Sequence, residues 1–319
     1  METEILDENN IERAGQLLQN GEVVAFPTET VYGLAANALD EAAVTKIFAA
    51  KERPQDNPLN VLVETKDTIK QLTMNIPDYV EVLVDTFSPG PITYVLKNAR
   101  KVAPNVSGNL TTIGVRIPDH PTALSILKYT GLPLAAPSAN KSGRPSPTTA
   151  QHVIHDLSGD IAAIVDGGKT NVGLESTVVD CTGEVPIILR TGLITKEDIT
   201  KVVGACDLEP SLKMPSNKYK HYAPEVPLIL VPSNARLIEL VEEERAKNKR
   251  IGVIVPEAVQ DIHIHKMYIL GKAEAENARN LYDVLRAIKK TEVDIVISVP
   301  FESEIVMNRL EQAASKIID

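Results

Sequence analysis

The sequence predicts an α/β protein: a large twisted mixed sheet with helices, followed by a smaller Rossmann-like α/β domain at the C-terminus. Three observations carry that expectation. Short apolar runs of strand length recur through residues 1–207, interrupted by helical periodicities at uneven spacing, which suits one large mixed sheet better than a regular βαβ series. From 228 to 319 strands and helices alternate conventionally, over a span of ordinary domain size. Between the two, residues 208–227 (LEPSLKMPSNKYKHYAPEVP) interrupt every periodicity with Pro and Ser and read as a linker.

Taken in order, Ile11 to Leu18 has helical spacing, and GEVVAFPT reads as a buried strand ending at Pro27. The following ETVYGLAAN reads as a loop of small and polar residues. Asp40 is positioned to cap a helix from Glu41, with Ala43, Val44, Ile47 and Phe48 on its apolar side. Pro54 disfavours helical backbone before it, so this helix should stop at about Glu52 or Arg53. Strand NVLVE, helices at Lys66–Leu72 and Asp78–Thr86, and the turn and strand of SPGPITYVLK come next. In TTIGVRIP, Ile113, Val115 and Ile117 share one strand face while Thr112, Gly114 and Arg116 share the other. Thr122–Tyr129 is a helix, and LPLAAPSANKSGRPSPTT starts as a strand and becomes a polar loop. Thr148 with Gln151 marks a capping box.

IAAIVDGGKTNVG comes close to a phosphate-binding P-loop but fails it. Ala163 stands where the first glycine belongs, and the strand-like ESTVVDC follows in place of a helix. A hairpin turn on the two glycines is the expectation. VPIILR then ends on Arg190, on the parity of Ile188, and Thr195 with Asp198 opens a helix ending near Val203. The C-terminal part reads as strand LILV, helix Ala235–Lys247, strands RIGVIV and KMYIL, helix Ala273–Lys289, strand DIVISV and helix Ser303–Ile317. No G-x-G-x-x-G supports dinucleotide binding there.

Composition removes several function classes. The 319 residues carry a net charge of -10, so a bare nucleic-acid backbone repels them and strong direct nucleic-acid binding is not expected. Trp is absent and aromatics make up 4%, which leaves few platforms for stacking bases. Cys181 and Cys206 form no C-x-x-C pair, which argues against a disulfide scaffold or a structural zinc, and no metal ligands are assigned. The acidic METEILDENN start has no apolar h-region and no run reaches membrane-spanning length, so the expectation is a cytoplasmic protein.

Candidate site residues cluster in four places. KERPQDNPL sets Lys51 and Arg53 at a helix end and Asn57 before Pro58. The two cations either complement the negative helix terminus or receive an anion such as phosphate. Arg116 beside Gly114 suggests a strand face open to a ligand, or else an edge strand with a solvated arginine. Ala136, Ser138 and Asn140 share a parity at the mouth of a loop that is either plain surface or a binding wall. KYKHYAP is either spacer or a loop that folds over a ligand.

In this order FPTETVYGL, K-x-R-P-x-x-N-P-L, PSANKSG, GLESTVVD, ILRTG, KYKHYAP and MNRLEQAA resemble the YrdC-like threonylcarbamoyl-AMP synthases in their long two-domain form, essentially end to end. The resemblance implies a YrdC-like catalytic domain (1–207), a linker closing over the site (208–227) and a Rossmann-like domain (228–319). It implies a nucleotidyltransferase that makes threonylcarbamoyl-AMP and pyrophosphate from L-threonine, bicarbonate and ATP, with Mg2+ carried in on ATP. The product would pass to a separate tRNA threonylcarbamoyl transferase complex. Carried over by position, Lys51, Arg53, Ser138 and Asn140 surround the nucleotide phosphates as catalytic residues. Asn57, Thr112, Ser146, Arg190 and Tyr222 contact ATP. Thr30, Leu62, Arg116, Ala136 and Ser176 face threonine, with Arg116 on the carboxylate. Leu62 departs from the histidine that many members carry there. Competing expectations are an RNA-binding or ribosome-associated factor on the same fold, or an enzyme acting on carbamoyl phosphate.

Overall fold

The computed structural model describes residues 2–209, 222–260 and 262–318. Lys218, Tyr219, Lys220 and His221 of the expected linker therefore lie outside the described residues, as does the linker's reading as a closing loop. Chain contacts define two compact units, Met1–Ser142 with Pro147–Lys218, and Gly143–Ser146 with Tyr219–Asp319.

The first unit runs β1 (Glu4–Asp7), α1 (Ile11–Gln19), β2 (Val24–Phe26), β3 (Gly33–Asn37), α2 (Glu41–Lys51), β4 (Asn60–Leu62), α3 (Lys66–Leu72) and β5 (Thr73–Met74). It continues with α4 (Asp78–Phe87), β6 (Ile92–Asn98), β7 (Thr112–Arg116), α5 (Pro121–Thr130), β8 (Leu134–Ala135), α6 (Ala150–Leu157) and β9 (Ala163–Asp166). β10 (Thr177–Asp180), β11 (Ile187–Arg190), α7 (Lys196–Val203) and β12 (Asp207–Leu208) complete it. Among the described residues these strands form one 12-stranded mixed sheet in the order β1-β9-β2-β3-β8-β4-β7-β6-β10-β11-β12, with β5 against β6. The expected large mixed sheet with helices is present.

Strand alternation divides the sheet between two apolar clusters. Val61, Tyr94, Leu96, Ile113 and Val115 pack with Val44, Ile47, Phe48 and Leu83 of the helices. Val24, Phe26, Ala35, Leu62 and Leu134 pack with Leu17, Leu18, Ile126 and Leu127. β7 is no edge strand; it pairs in parallel with β4 and antiparallel with β6. The strand that carries Thr112, Gly114 and Arg116 therefore lies inside the sheet.

Four local expectations need correction. Gly33–Asn37 is a strand: it lies between β2 and β8, which satisfy its backbone from both sides. The Gly167-Gly168 turn closes no hairpin, because β9 pairs in parallel with β1 and β2 while β10 pairs with β6 and β11. Long-range pairing decides this, and local glycine chemistry cannot report it. The cap of α6 is Thr149, whose side chain accepts from the His152 amide, one residue beyond the expected Thr148. Ile188 packs in the large cluster and Arg190 does not share its surroundings, because the β10–β11 register shifts between Val178 and Val179. Asp40 does cap α2 as expected, accepting from the amides of Ala42 and Ala43, and α2 ends at Lys51 with Glu52 left-handed at φ 53°.

The second unit runs β13 (Leu228–Leu230), α8 (Asn234–Arg245), β14 (Ile251–Val255), β15 (Lys266–Ile269), α9 (Glu274–Ala287), β16 (Ile295–Ser298), α10 (Glu304–Ala313) and β17 (Lys316–Ile317). Its sheet, in the order β15-β14-β16-β13-β17, is parallel throughout, the smaller α/β layer that the alternation predicts. The last helix is shorter than expected: it stops at Ala313, and Lys316–Ile317 adds an edge strand to β13. No helix among the described residues is long and apolar enough to cross a membrane.

Candidate functional site

Lys51 is the last residue of α2 and only 1% exposed. A buried ammonium needs acceptors, and it finds the carbonyls of Ser138 at 2.5 Å and Asn140 at 2.6 Å. The Lys51 carbonyl in turn accepts from the Ser142 amide at 2.9 Å. Ser138 is bridged to Gly33, and its Oγ donates to Asn140 Oδ1 at 2.6 Å. The structure thus brings Lys51, Ser138 and Asn140 together. Lys51 is therefore more than a charge complement to the helix end. Its ammonium lies inside, against the loop's backbone, and places a full positive charge behind Ser138–Asn140.

Arg53 works on its own motif. Its Nε donates to the Asn57 carbonyl at 3.2 Å and its Nη2 to the Pro58 carbonyl at 2.9 Å, strapping the turn that holds the buried Asn57.

A second group of polar side chains gathers around Arg116, 7% exposed at the end of β7. Its Nη1 donates to Thr30 Oγ1 at 3.0 Å and its Nε to the Gly90 carbonyl at 3.2 Å. Its Nη2 lies 2.6 Å from Glu29 Oε1. That last contact is close without being aligned as a hydrogen bond: Arg116 Nη2 and both Glu29 carboxylate oxygens have no hydrogen-bond partner among the described residues. Thr30 Oγ1 also meets Thr28 Oγ1 at 2.8 Å, and the Gly173 amide donates to the Thr30 carbonyl. Ser176 enters through Thr93, Oγ to Oγ1 at 2.8 Å, and receives Arg190: Nε and Nη2 donate to its carbonyl at 3.0 and 2.9 Å.

The sheet register places the remaining positions. Leu62 lies beside Arg116 in the ladder, and the Ala136 amide donates to the Asn60 carbonyl at 2.8 Å. Leu62 belongs to the apolar cluster with Leu134 and Ile126, so it offers Arg116 packing and no polar group. Thr112 sits on the same face at the other end of β7, roughly 13 Å along the strand from Arg116. The space over Gly114 is filled: an added Cβ would collide with Asn60 Oδ1 and lie 3.1 Å from Thr93 Cγ2. The glycine therefore makes room for these side chains, and the expected open ligand face is not found above it. Ser146 and Tyr222 belong to the second unit. There Arg286 holds the backbone beside Ser146, with Nη2 2.5 Å from the Pro145 carbonyl, and the Tyr222 ring packs on Tyr282 with centroids 5.1 Å apart.

Three residues were missed as site candidates: Glu29, Asn60 and Thr93. Glu29 had a signal. It is the one charged residue between Glu22 and Asp40, in a run otherwise fit for burial. Nearby, burial pushes the His120 imidazole below its ordinary value, while the charges of Glu29, Glu8 and Asp119 pull it the other way. Among the described residues no group of three or more His, Cys, Asp or Glu side chains is arranged to hold a metal ion.

Fold and site define an α/β protein whose first unit buries the cationic side chains of Lys51 and Arg116, as proteins that handle small anionic ligands do. The family model Sua5_yciO_yrdC, described as "Telomere recombination", matches residues 16–192, and the one described as "Threonylcarbamoyl-AMP synthase, C-terminal domain" matches residues 194–315. The threonylcarbamoyl-AMP synthase of Bacillus subtilis is 43% identical over 95% of this chain and 92% of its own. That of Pyrococcus abyssi is 40% identical over 98% and 96%. The crystal structure of P. abyssi Sua5 complexed with L-threonine superposes with a TM-score of 0.92 at 39% identity, covering 99% of this chain and all of that one. This chain belongs to the Sua5/YrdC threonylcarbamoyl-AMP synthase family, in its two-domain form.

Proposed function

We propose that this chain is an L-threonylcarbamoyladenylate synthase, a nucleotidyltransferase that makes threonylcarbamoyl-AMP and pyrophosphate from L-threonine, bicarbonate and ATP. The observation that carries this reading is the full-length likeness to a protein solved with L-threonine. The buried group of Arg116, Thr30 and Ser176 supports it chemically, since a guanidinium and two hydroxyls suit a hydroxy amino acid.

In this reading threonine and bicarbonate combine, with loss of water, to a carbamate. The carbamate oxygen then attacks the α-phosphorus of ATP, a new O–P bond forms, and the bond to pyrophosphate breaks. Such a step is promoted mainly by positioning and by stabilising the charge on the phosphates. Arg116 takes the threonine carboxylate. Lys51 fixes the Ser138–Asn140 loop and lends its charge from behind, while Arg53 and Asn57 shape the adjoining turn. Thr112 and Arg190 are assigned to the nucleotide, Leu62 and Ala136 to the apolar side of the amino-acid site. Magnesium belongs to the substrate, carried on the ATP phosphates.

The same reading places the enzyme in the cytoplasm, supported by Cys181 and Cys206, both buried and free. It delivers its product to a separate transferase complex that modifies tRNA. The test is incubation with ATP, bicarbonate and threonine. Pyrophosphate release that depends on threonine, with the adenylate detected by mass spectrometry, is expected. No threonine-dependent release would sink the proposal.

A further inference from the structure

Glu29 has no assigned role, yet its placement asks for one. It is 5% exposed, and its neighbour Thr30 is 1% exposed. A buried carboxylate is stable only with a partner of opposite charge and with hydrogen bonds to its oxygens. Glu29 has the first from Arg116 Nη2 at 2.6 Å and lacks the second among the described residues. Arg116 shows the complementary defect: Nε and Nη1 are bonded to Gly90 and Thr30, and Nη2 faces Glu29 without an aligned bond. Both backbones are fixed, since Val172 and Gly173 donate to the Glu29 and Thr30 carbonyls at 2.9 and 3.0 Å, and β7 is paired on both sides. Two opposite charges are thus held side by side, rigidly, with bonding capacity to spare on each.

A free α-amino acid is the ligand that matches such a pair, because it carries one carboxylate and one ammonium on adjacent atoms. Resting on the function proposed above, we infer that Glu29 binds the ammonium of the amino-acid substrate while Arg116 binds its carboxylate. Before the substrate arrives the two residues neutralise one another. The substrate then supplies each with the hydrogen bonds it lacks. Leu62, beside Arg116 and apolar, provides no alternative acceptor for the ammonium.

The experiment is equilibrium binding by calorimetry to the full chain, using L-threonine and (3R)-3-hydroxybutanoate, which keeps the carboxylate and hydroxyl and lacks the amine. The wild type should prefer threonine by roughly 10- to 100-fold, the range of a hydrogen bond to a charged group. In Glu29→Gln that preference should collapse to within about threefold, through loss of threonine affinity with the analogue little changed. If the variant weakens both ligands in parallel and keeps the preference, Glu29 only positions Arg116 and the inference is overturned. Should Glu29→Gln fail to fold, the wild type alone decides, since equal affinity for the two ligands also overturns it. A wild type that binds neither ligand removes the functional reading itself, and this inference with it.

Discussion

Arg116 and Glu29 in the first unit meet with nearly all of their surface removed from water. Arg250 and Asp294 in the second meet in solvent, their side chains 40% and 41% exposed. The exposed pair is the better bonded. Arg250 Nη2 reaches Asp294 Oδ1 at 2.7 Å and the Lys290 carbonyl at 2.8 Å, and the Arg250 amide reaches Oδ2 at 2.8 Å. The buried pair has the shorter charge contact and the poorer hydrogen bonding. Good geometry in water contributes little, because water competes for every group. Poor geometry out of water is costly, and persists where another interaction requires it. The difference separates a charge pair that ties together the starts of two paired strands, β14 and β16, from one that suits a ligand.

The harshest way to break that comparison is Arg116→Ala, which strands the Glu29 carboxylate in the interior. Stability in urea should fall by about 3–5 kcal/mol. Threonine-dependent pyrophosphate release should drop by more than about 100-fold if the folded fraction is assayed. A stability change as small as that of an exposed pair would refute the contrast.

Lys51→Met keeps the length of the side chain and removes the donor for two carbonyls. A loss of about 2–3 kcal/mol is expected, with activity falling alongside because the Ser138–Asn140 loop is released. Denaturant melts paired with the pyrophosphate assay would separate the two effects; full activity at reduced stability would limit Lys51 to holding the fold.

Gly114→Ala asks whether the face between Thr112 and Arg116 has room. The added methyl meets Asn60 Oδ1 and Thr93 Cγ2, so overpacking should cost about 1–3 kcal/mol. Because Thr93 holds Ser176, threonine affinity by calorimetry should weaken as well. Unchanged affinity would show that Asn60 alone absorbs the methyl.

Asp294→Asn should do least. Its carboxyl is held down to about 2, first by the Arg250 side chain and then by the Arg250 amide, against an ordinary value of 3.8. A lowered carboxylate stabilises the folded state fully above the ordinary value, and that contribution disappears as pH falls from there through about 2. The variant should therefore melt no more than about 2 °C below wild type at pH 7, with the gap closing between pH 4 and pH 2 and narrowing in high salt. A large gap that survives acid would erase the distinction between the two pairs.

Much of this molecule is legible in the chain, and the reason is locality. The cap at Asp40, the stop before Pro54 and the Thr195–Asp198 capping box depend on residues within one helical turn, and each forms as read. The parity of Thr112 and Arg116 is legible because a strand's alternation is a property of its own backbone. GLAAN, expected as loop with the rest of ETVYGLAAN, and the Gly167-Gly168 turn depart from expectation because their conformations follow from distant partners: β2 and β8 for the one, β1 and β6 for the other. The Ile188–Arg190 parity failed for the same reason, at a register shift no single strand reveals.

The sequence by itself determined where the helices fall, the two-part α/β organisation, and which residue types were available for an anionic and zwitterionic ligand. Only the tertiary structure decided what those residues touch. It turned Lys51 inward onto the carbonyls of Ser138 and Asn140, and it set Glu29 against Arg116 across 87 positions of chain. Charge is written into the side chain, but its partner and its solvent are chosen by the sheet that folds around it.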